Sequence, residues 1–246
     1  MSDLEIKKTY GLFDNRFNKK LIADLKQGGE ELLVFPTVRA NKTDLSASER
    51  NWLENLSAFE WLILTDVFAA DYFIESLSEL EIDFYELDAL TVCALGEAVA
   101  DRLRFVQVHA DVIPSKTADD LIFSAISNYA GADLKDVDFL VVREKNASLA
   151  LIEMLRKENA AVEELAVYTA GFADDVELTR FKTLLAGGAV DEIVFSTPED
   201  LLSLKFLLSG ADVKSVLNET RISATSDVVY QSLQENGFRP LYFHHK

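Results

Sequence analysis

Hydrophobic positions along this chain fall into two rhythms. Short, largely apolar runs occur at Thr9–Phe13, Leu32–Phe35, Trp61–Thr65, Thr91–Leu95, Phe139–Val142, Ala166–Tyr168, Glu192–Ser196, Arg221–Ala224 and Leu241–Phe243. Runs of this length predict strands buried on both faces. Between them, apolar residues recur at helical spacing over Asn18–Gln27, Phe68–Leu77, Ala98–Leu103, Ala118–Asn128, Ser148–Glu158, Val176–Leu185, Asp200–Leu208 and Val228–Asn236. Strand and helix alternate, which predicts an α/β fold with parallel sheets covered by helices. In such sheets ligands gather where strands end. That points to Thr65-Asp66, Gly96, Arg143-Glu144-Lys145, Ser196-Thr197 and Thr225-Ser226. Small hydroxyl residues ahead of a helix offer a capping oxygen and open N–H groups for an anion. The same residues are also needed simply to start helices.

The phrases repeat. Ile63-Leu64-Thr65-Asp66 with Ala69–Phe73 returns as Val194-Phe195-Ser196-Thr197 with Asp200–Leu204, 131 positions later. Val92–Gly96 with Ala98–Leu103 returns as Ile222–Thr225 with Asp227–Leu233, 129 positions later. Tyr10–Pro36 returns as Phe139–Thr169, with Phe35 and Tyr168 separated by 133 positions. Three phrases at nearly one offset indicate an internal duplication. Their order is permuted, so the first phrase must complete the last two if each lobe needs all three. The chain then divides into a discontinuous lobe, residues 1–37 plus 170–246, and a continuous lobe, residues 38–169. Crossings near 35–42 and 163–172 would form a two-stranded connector. A cleft between two such lobes is a common ligand site, and hinge motion is expected of it.

Composition narrows the function. Lys and Arg number 24 against 42 Asp and Glu, a net charge of −18, which opposes nucleic-acid and anionic-membrane binding. The imbalance is uneven, because residues 1–50 carry nine basic and eight acidic side chains. An anionic ligand is therefore expected near Arg16, Lys19, Lys20, Arg39 and Lys42, although Lys19 and Lys20 read as the solvated face of a helix. No long apolar run and no leader-like start appear, so a soluble, cytoplasmic monomer is expected. The one cysteine, Cys93, lies in an apolar strand and reads as core. There is no P-loop and no GxGxxG, and the three histidines lack metal spacing. An enzyme built on this sequence needs little acid–base equipment, no metal and no cofactor.

The permuted duplication resembles the uroporphyrinogen-III synthase family. Leu62–Val67 resembles the family's strand ending in Thr-Ser, and Ala94–Ala100 its Gly-x-x-Thr-Ala turn. Val167-Tyr168-Thr169 resembles its Val-Tyr-x-Thr connector, and Val194–Pro198 its second hydroxyl-rich turn. The resemblance implies two flavodoxin-like lobes with parallel sheets, joined by a two-stranded connector. It implies closure of the linear tetrapyrrole hydroxymethylbilane to uroporphyrinogen III, with loss of water and inversion of the last pyrrole. Transient contact with hydroxymethylbilane synthase would follow. Tyr168 is the candidate proton donor, since a phenol stays protonated at neutral pH; a tyrosine bonding across the connector is the competing reading. The first copy has Phe35 at this place, so packing there requires no hydroxyl. Substrate carboxylates would meet Thr65, Asp66, Gly96, Ser196, Thr197 and Thr225, with Arg16, Arg39, Arg143, Lys116 and Lys145 as candidate cation partners.

The chain departs from the family pattern in places. Asp66 stands where Ser is usual, Val99 replaces the Thr of the glycine turn, and Thr225 and Val228 replace both residues in the second copy. The setting of Arg16 is unusual, and the chain stops soon after Tyr242-Phe243. Two other readings therefore stand beside the enzyme: a non-catalytic relative that binds a tetrapyrrole, and an unrelated bilobal binder of a small anionic metabolite.

Overall fold

Continuous apolar stretches have no side for solvent, so they pair into sheets that helices cover on both faces. The computed structural model describes residues 7–131, 133–173, 177–208, 213–217 and 219–244. In chain order the elements are β1 (Thr9–Phe13), α1 (Lys19–Gln27), β2 (Glu31–Phe35), β3 (Arg39–Lys42), α2 (Ala47–Glu54), β4 (Trp61–Leu64), α3 (Val67–Glu79), β5 (Thr91–Ala94), α4 (Glu97–Phe105) and α5 (Asp119–Ala130). There follow β6 (Asp138–Glu144), α6 (Ala150–Lys157), β7 (Ala161–Gly171), α7 (Leu178–Ala186), β8 (Glu192–Phe195), α8 (Pro198–Leu207), α9 (Val213–Val216), β9 (Arg221–Ala224), α10 (Asp227–Glu235) and β10 (Leu241–Tyr242). The strands form two sheets, ordered β10-β9-β8-β1-β2 and β3-β7-β6-β4-β5. Strand β1 runs parallel to β2 and β8, and β9 to β8 and β10. In the second sheet β4 runs parallel to β5 and β6, and β6 to β7. The fold is α/β with two parallel-dominated sheets.

The chain separates into two units, Met1–Arg39 with Gly171–Lys246, and Ala40–Ala170. The central strand order of one repeats in the other, β2-β1-β8-β9 against β7-β6-β4-β5. The repeated sequence phrases are thus repeated strand–helix modules. Beyond β9 lies β10, and the bridge from Cys93 to Val112 takes the same place beside β5. In chain order the first sheet reads 2-1-3-4-5, so its direction of winding reverses between β1 and β8, and at the equivalent β6–β4 junction in the second sheet. Such reversals open a crevice outside the carboxyl ends of the strands.

Each sheet buries both faces. Phe13, Phe35, Ile193 and Phe195 pack under Leu185, Leu201, Leu204 and Leu233 from α7, α8 and α10, while Leu12 and Val194 meet Leu25 of α1 on the other face. In the second unit Trp61, Ile63, Cys93, Phe139 and Val141 pack under Ile122, Ile126, Leu151 and Leu155 of α5 and α6. A fully buried side chain of this size contributes about 1.5–3 kcal/mol. Burial pushes the Cys93 thiol up to about 12, consistent with a core residue. A Cβ on Gly11 would lie 2.5 Å from Phe35 Cε2, so only glycine lets β1 carry that ring alongside.

Several elements differ from the sequence expectation, among them α9, β7, β3 and α2. Strand β7 is 11 residues long rather than three, because its polar Glu164 is accommodated by Arg143 and Arg156 at 2.6 and 3.0 Å. Strand β3 has no apolar run, as its position at the end of the sheet order allows. Helix α2 opens on a capping box in which Glu49 N donates to Ser46 Oγ and Ser46 N donates to Glu49 Oε2. That Ser-x-x-Glu spacing was present in the sequence. The start expected at Val176 and the end of the chain lie outside the described residues.

Candidate functional site

The carboxyl ends of β4, β5, β6 and β7 bring Thr65, Asp66, Gly96, Arg143 and Tyr168 to one edge of the second sheet. Asp66 is the N-cap of α3, with extended backbone that turns its carboxylate back over the helix start. Its Oδ1 accepts from Phe68 N at 2.9 Å, Ala69 N at 3.0 Å and the Tyr168 hydroxyl at 2.8 Å. Its Oδ2 accepts from Thr65 Oγ1 at 2.9 Å. Burial raises the carboxyl pKa, and these donors oppose the rise by favouring the charged form. Tyr168 is 1% exposed, its ring set against Phe68 and Tyr72. Burial first, then the Asp66 charge, pushes its phenol pKa well above the usual value.

Helix α4 starts differently. Gly96 has φ +109°, backbone that side-chain-bearing residues rarely adopt, and no side chain caps the helix. At this start Gly96 N donates to Ala94 O at 2.8 Å and Val99 N to Gly96 O at 3.1 Å.

The first unit has its own edge, at the ends of β1, β8 and β9. Asp200, in the first turn of α8, is 0% exposed. Its Oδ2 accepts from Ser196 N at 2.8 Å and Thr197 N at 3.1 Å, and its Oδ1 from Asn15 Nδ2 at 2.7 Å. Asn15 Oδ1 accepts in turn from Phe17 N and Asn18 N, both at 2.9 Å. Buried Asn18 accepts from Ser196 Oγ and donates to Phe13 O at 2.9 Å. Burial pushes the Asp200 carboxyl up to about 6 against these same donors.

A family model for uroporphyrinogen-III synthase HemD matches residues 19–246. The chain belongs to the uroporphyrinogen-III synthase family. It is 23% identical over 228 residues to the uroporphyrinogen-III synthase of Chlorobaculum parvum, covering 90% of this chain and 88% of that one. Its fold resembles crystal structures of uroporphyrinogen III synthase from Thermus thermophilus. One, of the wild-type protein, gives a TM-score of 0.67 at 17% identity, covering 96% of this chain and 91% of that one. Another gives 0.66 at 18% identity, covering 96% and 92%.

Within this uroporphyrinogen-III synthase family fold, the expected residues fall into two sets, one on each sheet. Ser196, Thr197, Thr225 and Arg16 follow strands of the first sheet, and Arg39 begins β3. Thr225 is exposed, with its N–H donating to Phe195 O at 3.0 Å. Arg16, Arg39, Lys116 and Lys145 are exposed, and Arg16 lies over the Phe17 ring at 4.8 Å. Arg143 is buried, its side chain 6% exposed, paired with Glu164 at 2.6 Å and bonded to the Ala147 carbonyl. The Tyr168 hydroxyl donates to Asp66 Oδ1 at 2.8 Å, inside its own unit. The Asp66 carboxylate accepts four donors, all from its own unit. Sequence reasoning missed Asn15, Asn18 and Asp200. The Thr-x-x-Asp spacing of Thr197 and Asp200 was a signal for the helix start, whereas nothing local joined either to Asn15.

Among the described residues, no three His, Cys, Asp or Glu side chains are grouped to hold a metal, and no helix is long and apolar enough to cross a membrane.

Proposed function

We propose that this chain closes hydroxymethylbilane to uroporphyrinogen III. The observation that carries the reading is the family match, which runs through both repeats over residues 19–246. The reaction needs the hydroxymethyl C–O bond to break, water to leave, and a new C–C bond to form to the last pyrrole as it inverts. Pyrrole nitrogen lone pairs stabilise the cation left behind, so little acid–base equipment is required. The protein's contribution is to hold a flexible chain in the conformation from which the inverted ring closes.

Helix starts, hydroxyls and a few exposed cations support that role on a protein of −18. The uncapped start of α4 at Gly96, the hydroxyls of Thr197 and Thr225, and the exposed Arg16, Arg39 and Lys116 are the groups proposed to meet substrate carboxylates. Tyr168 is proposed to act through Asp66, fixing the start of α3, rather than by giving its proton directly. The Asp66 carboxylate is engaged by donors of its own unit, which supports a structural role at the start of α3. The substrate closes spontaneously to the type I isomer, so transient hand-over from hydroxymethylbilane synthase to a monomer located in the cytoplasm fits the chemistry.

Feeding the chain hydroxymethylbilane generated in situ by a deaminase, and resolving the products by chromatography, tests the proposal. Predominant type III product is expected. Type I alone would refute it.

A further inference from the structure

Helix α8 carries two buried polar side chains one turn apart, Asp200 at 0% and Ser203 at 1% exposure. Asp200 closes the capping box of α8 by accepting from Thr197 N, but its bonds also reach beyond that box. Helix α10 in the same unit starts on the Ser226 hydroxyl alone, which accepts from Val229 N. A buried carboxylate is a costly alternative unless it is filled with donors. The three donors to Asp200 come from two loops: Ser196 and Thr197 after β8, and Asn15 after β1, 185 positions away. Ser203 Oγ accepts from Val38 N at 3.0 Å, anchoring the segment just before Arg39. One helix face thus fixes three backbone segments that carry candidate binding groups.

We propose that Asn15 and Asp200 are a positioning pair, holding the turn that presents Arg16 against the turn that presents Thr197 at the reversal between β1 and β8. The proposal rests on the reading that this edge receives substrate carboxylates. Asn15 is bound at both ends of its amide: Oδ1 closes its own turn onto Phe17 N and Asn18 N, and Nδ2 reaches Asp200 Oδ1 at 2.7 Å. Asp200 likewise closes its own turn with Oδ2 and reaches across with Oδ1. Between these two side chains the crossing is one N–H donated to one carboxylate oxygen.

That polarity can be reversed without changing shape. In Asn15→Asp with Asp200→Asn, aspartate at 15 still accepts from Phe17 N and Asn18 N, and asparagine at 200 still accepts from Ser196 N and Thr197 N. The crossing bond is then donated by residue 200. Each single substitution instead sets two amide NH2 groups or two carboxylates against each other.

The test measures type III formation, thermal melting and amide exchange on the full chain of wild type, both single variants and the double. Each single variant is expected to lower kcat/KM at least tenfold, chiefly through KM. The double variant is expected to recover to within threefold of wild type. Ser196 and Thr197 amides should exchange slowly in wild type and double, and faster in Asp200→Asn. A double variant that folds but stays as impaired as the worse single would overturn the proposal, as would Asp200→Asn with wild-type kcat/KM. If wild type yields only type I product, the functional reading falls separately. The exchange pattern then decides the pair: slow, fast and slow across wild type, Asp200→Asn and double supports it, and any other pattern removes it.

Discussion

Asp66 and Asp200 sit in repeated copies of one strand–helix turn, three positions apart in register. In the second unit the N-cap is Asp66 and the residue three further on is Ala69; in the first the N-cap is Thr197 and the residue three further on is Asp200. Both carboxylates take two backbone amides at the start of their helix and a side-chain donor from a neighbouring strand or loop. That donor is Tyr168 in one unit and Asn15 in the other. The repeats therefore share an electrostatic task rather than a residue: one buried acceptor ties a helix start to the segment beside it. Where the tie is a phenol, the corner holds Tyr168; where it is an amide, the equivalent corner is free to be Phe35, packed on Phe13 and Phe181.

The comparison is broken most severely by forcing one corner to resemble the other. Phe35→Tyr places a hydroxyl among buried aromatic rings, and is expected to destabilise the chain by about 3 kcal/mol in urea unfolding.

Acidity sharpens the contrast with a somewhat smaller effect. The folded Asp200 pKa, near 6, lies above the ordinary value of 3.8. Its contribution to stability is therefore fully present below about pH 4 and lost as pH rises through about 6. Wild type should gain on the order of 2 kcal/mol relative to Asp200→Asn on acidification from pH 7 to 4, read from paired urea titrations. Activity should move the other way, falling below about pH 6 as the protonated carboxyl gives up its role as acceptor.

Removing the phenol is milder still. Tyr168→Phe leaves Asp66 with Thr65 and two amides, so a loss of about 1–2 kcal/mol is expected, with type III formation slowed about tenfold or more. Combining it with Asp66→Asn should add little further loss of rate if Tyr168 works through that carboxylate. The smallest effect on stability belongs to the turn that the Asn15–Asp200 bond holds. Exposed Arg16→Ala should change stability by under about 0.5 kcal/mol while raising KM.

The strands were legible because a parallel sheet buried on both faces leaves unbroken apolar runs, as at Trp61–Leu64, and the repeated phrases marked equivalent modules. Strand β3 was not, because Arg39-Ala40-Asn41-Lys42 has no such run and gains its structure from β7. Candidate site residues were found where strands end, but not their partners. The Tyr168 bond to Asp66 joins residues 102 positions apart, and the Asn15 bond to Asp200 joins residues 185 apart. Only the folded sheets bring these groups within reach. The same distance explains why Asp66 looked like a repulsive charge in the sequence.

The central claim is that this chain supplies order, through two satisfied carboxylates, to a reaction whose cation the substrate stabilises itself. The share of type III isomer, measured side by side for wild type, Tyr168→Phe and Asp200→Asn under one supply of hydroxymethylbilane, tests it most directly. The account predicts mostly type III from wild type, and a shift toward spontaneous type I in each variant. Type I from wild type, or an unchanged share in both variants, would contradict it.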